Sequence, residues 1–184
     1  MATSTRPRNI VAVDIGYGNT KMVCGHEITK AGRSRWTEAV FPSIAPLVVV
    51  DEEAAGYTHN PDRIMITYKG QRYYTGAKAT AGVVPRAIPK NYIETDLHEV
   101  LLRTALHLAM RESGRIMTEI DLLVLGLPVS GHAGQRARLK ELGLTQRTVP
   151  LPKSLARDGL KEVNVKVSQC IDRKSTRLNS SHLV

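Results

Sequence analysis

An apolar run that stops on an aspartate and then doubles back sets the first constraint on this chain. Asn9 to Ile15 reads NIVAVDI and is followed by Gly16-Tyr17-Gly18-Asn19-Thr20-Lys21. Val and Ile in such a run favour a buried strand. Tyr17-Gly18-Asn19 predicts a tight turn, because Gly and Asn tolerate positive φ. Thr20 to Ile28 then predicts a return strand, so the chain opens as a β-hairpin whose turn follows Asp14. A lone hairpin is marginal in water, and the rest of the chain must cover it.

The later segments supply that cover. Trp36 to Phe41 predicts a third strand, closed by Pro42. Residues 43–90 read as an insertion that holds the apolar run Leu47 to Val50 and a second hairpin, Arg63 to Tyr68 and Gln71 to Thr75, turning at Lys69-Gly70. Asn91 with Glu94 fits a capping box. The apolar positions from Ile93 to Ala109 then predict a long helix with a wide buried face, packed on a sheet and on a second helix, and ended by Gly114. Ile120 to Leu125 is unbroken apolar sequence, as in a central parallel strand covered on both faces. Ser130 to Leu142 predicts a basic helix ended by Gly143, and Val163 to Val167 a last, alternating strand. The order β-β-β-α-β-α-β predicts an α/β fold with a mixed five-stranded sheet and flanking helices.

Composition narrows the function classes. The chain has 184 residues, 42% of them hydrophobic, with one Trp and one Phe, so the core rests on Val, Ile, Leu and Ala. No run approaches the ~20 apolar residues of a membrane span, and the polar residues 1–8 lack the apolar stretch of a signal peptide. A cytoplasmic location is the expectation. Cys24 and Cys170 have no C-x-x-C spacing, and Cys24 reads as a reduced thiol on a strand. The net charge is +9, but the basic residues are scattered. With no nucleic-acid-binding motif in view, direct sequence-specific nucleic-acid binding is not expected. Residues 172–184 read as a tail. Arg173 to Val184, RKSTRLNSSHLV, resembles the translation of a cloning adapter, and on that reading the natural protein continues differently after about residue 171.

The stretch that carries chemistry is Asp14 to Lys21. Glycines at 16 and 18 let backbone N–H groups face one concavity, the arrangement that binds phosphate oxygens. Lys21 opens the return strand with a compact positive charge. A carboxylate beside a phosphate repels it unless a hydrated Mg²⁺ stands between them, so Asp14 points to a metal-bound nucleotide. The dinucleotide fingerprint needs a third Gly where Lys21 stands, followed by a helix. The P-loop pattern is absent. A plain hairpin, with glycines for geometry and Lys21 for solubility, fits the same residues.

Asp14 to Lys21, DIGYGNTK, resembles the first phosphate motif of the actin, Hsp70 and sugar kinase superfamily. Phe41-Pro42-Ser43 with Ala45-Pro46, GQRYYTG from Gly70 to Gly76, and LVLGLPV from Leu123 to Val129 resemble segments of its bacterial actin-like branch, typified by the plasmid segregation proteins ParM and StbA. The resemblance covers residues 9 to 168. It implies an actin/Hsp70-type (ribonuclease H-like) N-terminal lobe over residues 9–171, with ATP and Mg²⁺ as cofactors. Asp14 would hold Mg²⁺ through water and Lys21 would contact the β and γ phosphates. Gly16, Tyr17, Gly18 and Asn19 would supply backbone donors. The family's water-orienting Gln or Glu follows the fifth strand, which points to Gln169 as a catalytic residue. The partners implied are further copies, in filaments, and an adaptor protein bound to plasmid DNA. A small-molecule kinase of the same superfamily and a non-enzymatic protein-binding lobe are the alternatives. Because the superfamily binds nucleotide between two lobes, the chain alone is expected to be inactive as an ATPase.

Overall fold

The computed structural model describes residues 9–27, 34–48, 62–77, 79, 91–127 and 132–174. Residues 1–8, expected to be disordered, and residues 175–184 of the expected tail 172–184 lie outside them. The first hairpin forms as its pattern predicts, with β1 (Asn9–Ile15) antiparallel to β2 (Asn19–Glu27), and β3 (Ser34–Pro42) antiparallel to β2. The second hairpin pairs β4 (Ile64–Tyr68) with β5 (Gln71–Thr75). Its turn residues Lys69 and Gly70 have φ of 49° and 75°, the left-handed pair that matches strand twist in a two-residue hairpin. Leu47 bridges to Tyr73 and begins a further edge on this small sheet. Residues 49 and 50 of the expected apolar run lie outside the described residues.

The long helix starts later than its capping signal suggests. Asn91 precedes only a 3₁₀ turn (Tyr92–Glu94) and makes no side-chain cap. The helix α1 spans Asp96–Ser113, and Thr95 is its cap, its hydroxyl accepting from the His98 N–H. Both residues are good capping types; Thr95 wins because it has the extended backbone a cap requires. Gly114 closes the helix at φ 68°. Helix α1 is buried on nearly all sides. One side covers β1, β2 and β3, and the others meet the β4–β5 hairpin and β8 (Arg147–Pro150) rather than a second helix. The Thr104 hydroxyl donates to Thr75 at 2.8 Å and the Arg103 guanidinium to the Thr148 carbonyl at 2.7 Å, fixing these outer contacts.

After α1 the chain changes sheets at one residue. β6 (Glu119–Ile120) runs beside β9 (Glu162–Val167), while β7 (Leu122–Leu127) runs parallel to β1. Between them, Asp121 accepts from the Asn9 N–H at 2.8 Å and its own N–H donates to the Asn9 carbonyl. Helix α2 (His132–Leu144) extends past Gly143, which lies inside the helix instead of ending it. A Cβ on Gly143 would collide with the Cys170 sulfur, so the glycine lets α2 pack closely on the sheet.

The five-stranded mixed sheet of an actin/Hsp70-type lobe is present, in the order β10-β7-β1-β2-β3. Its fifth strand corrects the sequence reading. That strand is β10 (Cys170–Lys174), parallel to β7, and not Val163 to Val167. The latter is β9, which pairs with β8 and β6 in a separate three-stranded sheet. Alternation marks Val163 to Val167 as a strand with one buried face, but it carries no information on which sheet receives it. Residues 172–174, read as the start of a tail, pair with Leu125, Gly126 and Leu127. No helix of the described residues is long and apolar enough to cross a membrane.

Candidate functional site: the carboxyl edge of the central strands

Strand alternation assigns each sheet residue to a face. Val13, Met22, Leu125 and Cys170 are buried, and the α2 residue Gly143 sits against Leu125 and Cys170, so both helices cover that face. Asp14, Lys21 and Gly126 fall on the opposite face. Asp14 and Lys21 are direct partners in the β1–β2 register, so a carboxylate and an ammonium group flank the same turn. Ligands in open α/β sheets gather outside the carboxyl ends of parallel strands, and Asp14 lies at that end of β1.

The turn between them differs in detail from its sequence reading. Gly16, Gly18 and Asn19 all lie outside the left-handed φ region. Gly16 is required for space: a Cβ there would stand 2.9 Å from the Asn19 carbonyl oxygen. Its N–H donates to that oxygen at 3.1 Å and closes the turn, so it is engaged within the protein and does not face outward as a phosphate donor. The tip is therefore Tyr17 and Gly18, both exposed. A Cβ on Gly18 would meet nothing within 4 Å, which leaves the tip open to close approach by a ligand.

Two supports hold the turn, and sequence reasoning gave neither of them a role. Behind it, the Ser43 N–H donates to the Gly18 carbonyl at 3.0 Å. The buried Ser43 and Thr20 hydroxyls are 2.9 Å apart. Phe41, the buried cross-strand partner of Thr20, anchors the segment. The Phe-Pro-Ser stretch thus braces the glycine turn. Beside it, the Tyr17 ring meets Tyr92 edge-on at 5.5 Å, and Tyr92 meets the buried His98 at 5.7 Å. Burial, with Tyr17 adding to it, pushes the Tyr92 hydroxyl up to about 12, so it stays neutral. Burial holds His98 down at about 4, with Glu99 raising it and Arg147 lowering it further.

Gly126 of the Gly-Leu-Pro segment is the third neighbour. It stands level with Asp14 on the adjacent parallel strand, because Val13 pairs with Leu125. A Cβ on Gly126 would lie 2.5 Å from Asp14 Oδ1 and 3.2 Å from its Cα.

Gln169 does not join this group. It precedes β10, and its carbonyl accepts from the Leu123 N–H at the amino end of β7. From Asp14 it is two strands across and four residues back, roughly 16 Å by strand geometry. The premise for naming it was that it followed the fifth strand, and that strand is β10.

Among known proteins, residues 12–171 match the family described as actin like proteins N terminal domain. Among solved structures, the crystal structure of actin-like protein Alp7A matches with a TM-score of 0.59 at 16% sequence identity. The match covers 90% of this chain and 44% of that one, so the chain spans less than half the length of this relative. No curated protein matches.

Proposed function

Because the chain belongs to the family of actin-like protein N-terminal domains, we propose that its first turn holds the phosphate tail of a metal-complexed nucleotide, ATP with Mg²⁺. The observation that carries this reading is the direct pairing of Asp14 with Lys21 across a turn whose tip is open at Gly18. The donor set fits. Lys21 is exposed and supplies positive charge for the phosphates. Tyr17 and Gly18 present the backbone of the tip, and Asn19 continues into β2. Gly16 shapes the turn. Asp14 would hold Mg²⁺ through water, and the bound Mg²⁺ would neutralise the charge between carboxylate and phosphate. The Ser43–Thr20 brace keeps the turn from shifting when a ligand approaches. Phosphoryl transfer depends on positioning and on charge stabilisation, and these residues address both. Gln169 has no part in the proposed site.

At the level of the whole protein, the reading is an actin-like ATPase that assembles into filaments of the ParM/StbA type. Its cargo would be plasmid DNA, reached through an adaptor protein. What supports this is the family membership, with the Phe-Pro-Ser stretch and Gly126 standing beside the turn. The test is electron microscopy of the protein that carries this lobe together with its second half, with and without Mg-ATP. Filaments that need nucleotide, and that fail with Asp14→Ala, are the expected result. Nucleotide-independent monomers, or filaments indifferent to Asp14, would overturn the proposal.

A further inference from the structure

We infer that Gly126 is a positioning residue: by lacking a side chain it seats the Asp14 carboxylate at the sheet edge and so makes nucleotide binding by the turn depend on the metal. The inference rests on the reading of the turn given above. Gly126 interrupts a strand, Leu122–Leu127, that is otherwise Leu and Val, and glycine weakens a strand interior unless something approaches closely. Its φ lies outside the left-handed region, so backbone conformation does not call for glycine. Space does. The three nearest atoms that a Cβ would meet belong to Asp14: Oδ1 at 2.5 Å, Cγ at 3.0 Å and Cα at 3.2 Å. Rotation of the carboxylate relieves the first two contacts. It does not relieve the third, which is set by the spacing of β1 and β7.

A side chain at position 126 therefore pushes the Asp14 carboxylate away from β7 and towards β2. There it meets Lys21, its cross-strand partner. A carboxylate drawn onto Lys21 neutralises the ammonium group that would meet phosphate and turns away from the waters of a metal ion. With glycine at 126 the carboxylate keeps its place beside β7.

The test compares wild type, Gly126→Ala, Asp14→Asn and Val124→Ala. Val124 lies on the same strand and face, level with Ala12 and not with Asp14. ADP is titrated against each labelled protein by NMR, once with Mg²⁺ and once with EDTA. Crystals of ligand-free Gly126→Ala report the carboxylate position. In wild type and Val124→Ala, Mg²⁺ should strengthen binding at least tenfold. In Gly126→Ala and Asp14→Asn that gain should vanish, and the Gly126→Ala crystal should show the carboxylate turned towards Lys21. A full Mg²⁺ gain in Gly126→Ala, an unmoved carboxylate, or an equal loss in Val124→Ala overturns the inference. If wild type shows no Mg²⁺-dependent binding, the reading of the turn fails and the metal-dependence claim with it. The crystal then still decides whether Gly126 seats Asp14.

Discussion

Replacing Arg147 with Met should destabilise the fold by about 3 kcal/mol. Arg147 is 1% exposed, and it ties three elements together. It donates to the Leu142 and Gly143 carbonyls in the last turn of α2 at 2.7 and 3.1 Å, and to both carboxylate oxygens of Glu99 on α1 at 3.2 and 3.4 Å. Its backbone belongs to β8. Met fills much of the same volume, so the change is one of polarity more than of packing. Breaking one side of a buried ion pair costs about 3–5 kcal/mol. The lower end applies here because Glu99 keeps the Arg103 guanidinium at 2.9 Å. For a domain of this size each kcal/mol moves the melting temperature by about 2–4 °C, so the variant should melt about 6–12 °C lower in a circular-dichroism scan. Arg103→Met should cost less, since Arg147 still satisfies Glu99. Glu99→Gln combined with Arg147→Met should cost less than the two singles together, because the residues act as a unit. A shift below about 2 °C for Arg147→Met, or strict additivity with Glu99→Gln, would refute this account of how α1, α2 and β8 are tied.

Acid should weaken the fold through His98. Its pKa falls from 6.5 in the unfolded chain to about 4 when buried, so below pH 6.5 the unfolded state takes up a proton that the native state refuses. Stability is then lost between pH 6.5 and about 4, by about 3 kcal/mol in total, and urea melts of His98→Phe should lack this part of the slope. Ser43→Ala leaves the buried Thr20 hydroxyl without its 2.9 Å partner. It should cost about 1–3 kcal/mol in urea melts. Burial raises both Cys24 and Cys170 to about 11, so neither thiol should react with a disulfide reagent at pH 8 until the protein unfolds.

The parts of the fold that local chemistry controls were legible in the sequence. The β1–β2 and β4–β5 hairpins follow from glycine turns between β-branched runs, and helix α1 from its apolar period and Gly114. What was not legible depends on contacts distant in sequence. Cys170 to Lys174 has little period-2 pattern and becomes a strand because β7 offers it a parallel edge. The alternating Glu162 to Val167 is drawn to β8 instead. The same exchange leaves Gln169 before the fifth strand and not after it. Within the site, the reversal of the chain after Asp14 was readable, but the Asp14–Lys21 pairing is set by the two-residue tip Tyr17-Gly18, one residue shorter than the turn read from the sequence. Gly126 and Ser43 were flagged only as parts of family segments. Their contacts to Asp14 and to Gly18 cross between strands and loops, and no spacing rule announces them.

The claim at the centre of this account is that the turn after β1 meets the phosphates. A titration of the ¹⁵N-labelled chain with millimolar Mg-ADP, followed residue by residue in NMR spectra, tests it most directly. The account predicts that the largest shifts fall on Asp14 to Lys21 and Gly126, and that Lys21→Ala weakens them at least tenfold. Shifts centred on the β8–β9 sheet instead, with the turn unmoved, would contradict it.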